Sequence, residues 1–165
     1  PTMTPNLRTS FLVRDRWWMS TGSLARTAVA DDRSVISDRD EMIREMNPVV
    51  VPGTFVYATV AGVESVSDGV VIYSTVIEPE GVSIVVSSDD ARQIGIIDPV
   101  ELGWITLSVN SSLEGVGLTA AVSGALANDG IACNVVAGHH HDHLLVPIDQ
   151  LDRAVELLSE LAAQR

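Results

Sequence analysis

From Trp104 onward the chain reads strand, helix, strand, strand, helix, an order one strand short of a βαββαβ unit, and this shortfall constrains the fold more than any other feature. Residues 104–109 read as an apolar strand. Leu118, Ala121, Val122, Ala125 and Leu126 then recur at helical spacing, and Gly130 suits the left-handed position that ends such a helix. Residues 131–137 and 143–146 read as two further strands joined by a histidine-rich turn. Asp149 is placed to cap a last helix that carries Leu151, Val155, Leu158 and Ala162 on one stripe. Since the sequence ends at Arg165, the missing strand is expected from the first half or from a partner chain.

The first half is mostly sheet. Residues 54–60 read as a strand, and Ser67-Asp68-Gly69 as a turn. Residues 70–77 and 82–86 form a hairpin across Glu78-Pro79-Glu80-Gly81, and a short helix opens at Ser88-Asp89-Asp90 and ends near Gly95. Before these, residues 38–46 predict a short helix with Met42, Ile43 and Met46 on one side, ended by Asn47-Pro48. Residues 1–37, with the Trp17-Trp18 pair, show no sustained period and read as an extension that is loose or docked. The chain opens on Pro1, and Met19 is an alternative start. The expected division is therefore 1–46 for the extension and short helix, 47–100 for the first half and 101–165 for the second.

Composition narrows the partners. With 46% hydrophobic residues in 165, the chain can bury roughly 68–70% of its unfolded surface in one unit or two small ones. A formal charge of −12, from 22 acidic residues against 10 arginines and no lysine, offers no basic stripe, so nucleic acid and anionic membrane surfaces are set aside. No apolar run approaches the ~20 residues that span a bilayer. The lone Cys133 sits among apolar neighbours and reads as a small buried hydrophobe, which with the absence of a signal-peptide core predicts a cytoplasmic protein.

The word Ser111-Ser112-Leu113-Glu114-Gly115-Val116-Gly117-Leu118-Thr119 lies between a strand and a helix. Ser111 and Glu114 have capping-box spacing, Gly115 and Gly117 allow close approach to the backbone, and free amides at a helix start attract carboxylates and phosphates. The alternative is that the glycines serve only a tight turn and helix packing. Gly115 to Ala120 also matches G-x-G-x-x-A, but five residues separate the strand from the first glycine, Glu114 would adjoin the pyrophosphate, and the next two strands pair as a hairpin. A dinucleotide site is therefore rejected.

The run His139-His140-His141-Asp142-His143 is the metal candidate, with His141 and His143 on one strand face; no second ligand cluster accompanies it. There is no G-x-S-x-G elbow and no activated cysteine, so no nucleophile is nominated. Asn134 interrupts an apolar strand opposite Cys133, either bonded to a nearby loop or touching a ligand.

These words resemble the ACT domains, and specifically bacterial tandem ACT-like proteins formerly of unknown function. The likeness rests on Glu80-Gly81-Val82-Ser83-Ile84-Val85, on the word from Ser111 extended to Ala121, on Asn134-Val135-Val136-Ala137, on His141-Asp142-His143 and on Val146-Pro147. It spans about residues 47–160. The resemblance implies an α+β, ferredoxin-like βαββαβ fold in two tandem ACT-like halves that share strands, the first lacking a full first helix, with sheets paired across a homodimer. It implies binding and not catalysis: a stand-alone regulatory module, as in the ACT domains of aspartate kinases, that holds a small-molecule ligand, an amino acid, at an interface without a cofactor and acts on a separate regulated protein. Carried over by position, the ligand loop is Asn110, Ser111, Ser112, Leu113, Glu114, Gly115, Val116, Gly117 and Leu118, with Asn134 on the second strand. Similarity to the cytosolic arginine sensors of animal cells around His141 and Asp142 makes Asp142 the partner of a ligand ammonium or guanidinium. Where the family usually carries aromatic residues before this word, this chain has His139 and His140. Two other readings stand beside this one: a structural ACT pair packing through the small stripe Ala120, Ser123, Gly124 and Ala127, and a metal-binding protein using residues 139–143.

Overall fold

A computed structural model describes residues 35–164, and the readings for residues 1–34 lie outside this range. The elements are α1 (Arg39–Arg44), β1 (Pro48–Val60), β2 (Ile72–Glu78), β3 (Gly81–Ser87), α2 (Ser88–Gln93), β4 (Leu102–Leu107), α3 (Leu118–Asn128), β5 (Asn134–Ala137), β6 (Asp142–Pro147) and α4 (Leu151–Ala163). One antiparallel sheet runs in the order β2-β3-β1-β4-β6-β5.

This order resolves the missing strand. In the second half, β4, β5 and β6 are the first, second and third strands of a βαββαβ unit, and β1 pairs with β4 as the fourth. In the first half, β1, β2 and β3 take those places and β4 is the fourth. Each half is a four-stranded ferredoxin-like sheet, and the two share the central β1–β4 pair. A single 3₁₀ turn at Val63–Ser65 stands where the first half would carry its first helix.

β1 can serve both halves because it is long. Its strand was expected to begin at Thr54 and instead begins at Pro48, running through Pro52 and Gly53. The ladder to β4 shifts register between Val51 and Phe55, and Gly53 takes φ 112° there. The Pro-Gly pair is thus a bulge inside the strand, a site where proline costs no ladder bond. Phe55 is the pivot, opposite Leu102 of β4 on one side and Ser87 of β3 on the other. Further boundaries differ from expectation. β5 starts at Asn134, leaving residues 131–133 outside the ladder, and Asp149 lies in a 3₁₀ turn at Ile148–Gln150 that leads into α4 without a side-chain cap.

The helices occupy one face. Gly103 of β4 faces α4 so closely that an added Cβ would meet both Leu151 methyls at 2.7 Å, and Ile105 and Leu107 follow on the same side. There they pack with Leu118, Val122 and Leu126 of α3, Ala154 and Leu158 of α4, and Met42, Ile43 and Met46, all buried. The α1 segment therefore belongs to this core. Under α2, Val56, Ala58, Ile84, Val86 and Ala91 form the corresponding cluster of the first half.

The opposite face holds Phe55, Val85, Leu102, Trp104 and Leu145, with Val51, Tyr73 and Val136 against them, all strand residues. Tyr73 on β2 and Trp104 on β4 are three strands apart, about 14 Å in a flat sheet, yet their ring centroids lie 5.7 Å apart. Tyr73 sits at the second register shift, between Ile72 and Ser74. The bulge re-aims it inward, and Phe55 meets both rings edge-on at 5.0 and 5.3 Å.

Because β1 and Phe55 belong to both halves, residues 35–164 are expected to unfold in one transition. With Trp17 and Trp18 replaced by Phe, Trp104 fluorescence and far-UV circular dichroism should report the same denaturant midpoint. Phe55→Ala should lower stability by about 3–5 kcal/mol and move both signals together. Separate midpoints would show that the halves fold independently.

Candidate functional site

The site expected from the sequence lies where β4, α3 and β6 meet. After β4, Val109 and Asn110 are buried, and the chain then makes a turn before α3. Ser111 and Glu114 do not cap a helix. The Ser112 hydroxyl instead accepts from the Glu114 N–H at 3.1 Å, and the Ser112 carbonyl accepts from the Gly115 N–H at 2.8 Å. This is a local Ser turn that resembles a capping box in spacing alone. Leu113 and Val116 project from it, 74% and 80% exposed. The helix begins at Leu118 because Gly117 takes φ 105°, a left-handed conformation that suits glycine, and it has no side-chain cap.

A second segment covers this turn. The Ile36 N–H donates to the Asn110 carbonyl at 3.0 Å, and the Ser112 N–H donates to the Ile36 carbonyl at 2.8 Å, forming a parallel bridge between Ile36 and Ser111. The Ser112 amide is therefore spent within the chain. A Cβ added to Gly115 would lie 2.7 Å from Met42 Sδ, and one on Gly117 would lie 2.8 Å from Arg39 Cδ. Both glycines do permit close approach, and α1 makes that approach.

The histidine-rich turn comes in from β6. It closes through the Gly138 N–H, which donates to the His141 carbonyl at 3.0 Å; His139 and His140 are exposed at its tip, ring centroids 4.6 Å apart. His141 donates from Nδ1 to the Val109 carbonyl at 3.0 Å, tying the turn to the end of β4. His143 Nδ1 lies 3.0 Å from Thr106 Oγ1, and its ring packs beside Trp104 on the helix-free face. With these nitrogens turned to separate partners, no group of three His, Cys, Asp or Glu side chains among the described residues can hold one metal ion. The metal reading of residues 139–143 falls on that geometry.

Asp142 alternates to the helix side of β6, where it meets the Thr119 side chain in the first turn of α3. Burial pushes the Asp142 carboxyl up from its usual range, against the opposing pull of His143 and the Thr119 hydrogen bond. Asn134 is not brought to this place. It is exposed at the start of β5 opposite Leu145, on the helix-free face and about 10 Å along β6 from Asp142. The structure thus brings together Asn110, residues 111–118, His141 and Asp142, and adds Thr119, Arg39 and Met42. Thr119 was legible as a hydroxyl in a first helical turn; the other two belong to a helix whose tertiary seat no local pattern specifies.

Beyond the turn, α3 and α4 leave an open groove of about 420 Å3, floored by Ala120, Ala121, Gly124 and Ala125 and bordered by Arg39 and Glu160.

Two expectations follow. Gly115→Ala should cost about 1–3 kcal/mol by overpacking against Met42, and the cost should shrink in a Met42→Ala background, a coupling a double-mutant denaturation cycle measures. The second concerns acid. Burial and the neighbouring His141 hold His143 below its ordinary value near 6.5, with Asp142 opposing. A folded value below the unfolded one gives stability present above the ordinary histidine value and lost as pH falls through the lowered one. Asp142 has the opposite sign: its folded value is raised, so its contribution is present below the usual carboxyl range and lost as pH rises through the folded value. The Tm should therefore drop as pH falls below about 6.5, and His143→Gln should flatten that drop. A slope unchanged in the variant would assign the effect elsewhere.

Comparison with known proteins matches this architecture. One ACT domain model matches residues 35–100 and a second matches residues 100–160. A crystal structure of a Vibrio cholerae protein of unknown function, titled a possible transport protein, is 39% identical, with a TM-score of 0.66 over 72% of this chain and 91% of that one. An Agrobacterium tumefaciens crystal structure is 23% identical, with a TM-score of 0.57 over 70% of this chain and 87% of that one. The ligand-free regulatory subunit of aspartate kinase from Thermus thermophilus shares the fold at 8% identity, with a TM-score of 0.55 over 69% and 96%. No curated protein sequence matches significantly. With both halves matched, and with a pair of ferredoxin-like units sharing a central strand pair, the chain belongs to the ACT domain family.

Proposed function

We propose that this chain is a regulatory ACT module that binds an amino acid at the loop of residues 111–118, against Asp142. The carrying observation is the pairing of opposite polarities within one helical turn. The first turn of α3 follows Gly117 without a side-chain cap, and Asp142 stands beside Thr119 in that same turn. Backbone amides at a helix start favour a carboxylate, and a carboxylate favours an ammonium or guanidinium. The ligand carboxylate is set at the amides after Gly117, since the Ser112 amide is already engaged. His141, held through its Nδ1, fixes the turn that carries Asp142.

The module acts as a homodimer on a separate regulated protein. Among the described residues both outer strands, β2 and β5, present unpaired edges, and Ile77 on β2 is 86% exposed, a surface that a partner chain would cover. No helix among the described residues is long and apolar enough to cross a membrane, which fits cytoplasmic work. A purely structural ACT pair is the second reading, favoured by the way Met42 and Arg39 fill the space over the two loop glycines.

A thermal-shift screen of the full chain against the twenty standard amino acids separates the two. A ligand at 100 times its Kd stabilises by about 2.7 kcal/mol, so one clear riser is expected. Calorimetry with that amino acid should then show Asp142→Asn weakening affinity by about 1.5–3 kcal/mol, the scale of a hydrogen bond to a charged group. No shift with any amino acid hands the case to the structural reading, and unchanged affinity in Asp142→Asn removes that residue from the site. Light scattering at micromolar concentration should return twice the chain mass, and a monomer would refute the dimer.

A further inference from the structure

We infer that Arg39 is a swinging lid over the loop site, closed when its side chain lies on Gly117 and open when its guanidinium turns into the α3–α4 groove toward Glu160. The inference rests on the amino-acid reading of that loop.

The two residues that cover the loop are anchored very differently. Met42 is fully buried in the helix-side core, and its sulfur forms a fixed floor behind Gly115. Arg39 is at the first position of α1, with its side chain about half exposed and, among the described residues, ion-paired with its neighbour Asp40 alone, at 3.7 Å. A pair of that exposure and length holds a flexible side chain weakly. Yet the aliphatic end of Arg39 takes up the space above Gly117: Cδ, Nε and Cγ lie 2.8, 3.0 and 3.2 Å from where a Cβ would stand. A ligand approaching the amides after Gly117 meets this stem first.

The same arginine borders the open groove between α3 and α4, together with Ala120, Ala121, Gly124 and Glu160. The small floor leaves room for a long side chain. Glu160 supplies a counter-charge there, because Arg153 donates to Asp129 at 3.0 Å and to Glu156 at 3.3 Å and reaches Glu160 only through its field. Arg39 thus has two seats joined by side-chain rotation alone, and a ligand that needs the space over Gly117 shifts the population toward the groove.

Two substitutions on the full chain test this with opposite expected signs. The probe is the amino acid that raises the parent or Arg39→Ala melting temperature in the twenty-member screen, with affinity then measured by calorimetry. Arg39→Ala removes the closed lid while keeping a strong helix former, and should tighten binding by about two- to tenfold. Glu160→Gln removes the open seat's counter-charge and should weaken binding by about two- to fivefold, the scale of an exposed ion pair. In the double variant the Glu160 effect should vanish, since its partner is gone. Changes of the same sign, unchanged affinities, or a Glu160→Gln effect that persists without Arg39 would overturn the lid and leave amino-acid binding standing. No amino acid bound by either the parent or Arg39→Ala would overturn the binding reading, and the lid with it.

Discussion

The pairing of β1 with β4 is the interaction on which the structure depends. Each strand closes the sheet of its own half and completes the sheet of the other, so neither half has four strands without it. The residues along this ladder also feed both faces: Val51, Phe55, Leu102 and Trp104 build the strand-only core, while Ile105 and Leu107 meet the helices. A bulge at Pro52 and Gly53 lets one strand change partners from β4 to β3 without leaving the sheet. Fixing so long a strand carries a large entropic cost, which two hydrophobic cores offset where one three-stranded half could not.

The helix side shows how the site is framed by the demands of packing. With Met42, Ile43 and Met46 buried among α3 and α4, α1 is held against the turn that precedes α3, and the bridge from Ile36 to Ser111 fixes the approach. Gly115 is therefore explained by Met42 and by the Ser112 carbonyl, which an added Cβ would meet at 2.7 and 2.9 Å. What packing does not explain is the combination at the start of α3: a left-handed Gly117, a first turn without a side-chain cap, and a half-buried Asp142 on the neighbouring strand.

Much of the architecture was legible because its signals are periodic. The apolar spacing of α3 and α4 and the β-branched runs of β2 and β3 each bury one face, and the count of elements after Trp104 exposed the missing strand. The rest was hidden for identifiable reasons. Pro52-Gly53 carries the local signature of a turn, and only the partner strands show that the ladder absorbs it. Ser111 and Glu114 have the spacing of a cap, but the helix starts only after the left-handed Gly117. Asn134 was placed opposite Cys133, which is how the strand lies; that α3 and Asp142 occupy the other face of the sheet is a tertiary fact. Arg39 and Met42, some seventy residues before the loop, could not be read as its neighbours from any local pattern.

On the proposed amino-acid reading, the electrostatics of the loop favour one kind of molecule. A simple anion at the start of α3 would gain from the helix amides, yet would stand beside Asp142, whose charge burial already disfavours. A simple cation would gain Asp142 and lose against the helix start. Like charges a few ångströms apart in a partly desolvated site cost more than an exposed contact returns. Only a molecule carrying both charges on one short frame gains at each end, and by screening Asp142 it also relieves the cost of that carboxylate's burial. On that reading, the half-buried Asp142 and the uncapped helix start take the opposite ends of one zwitterion.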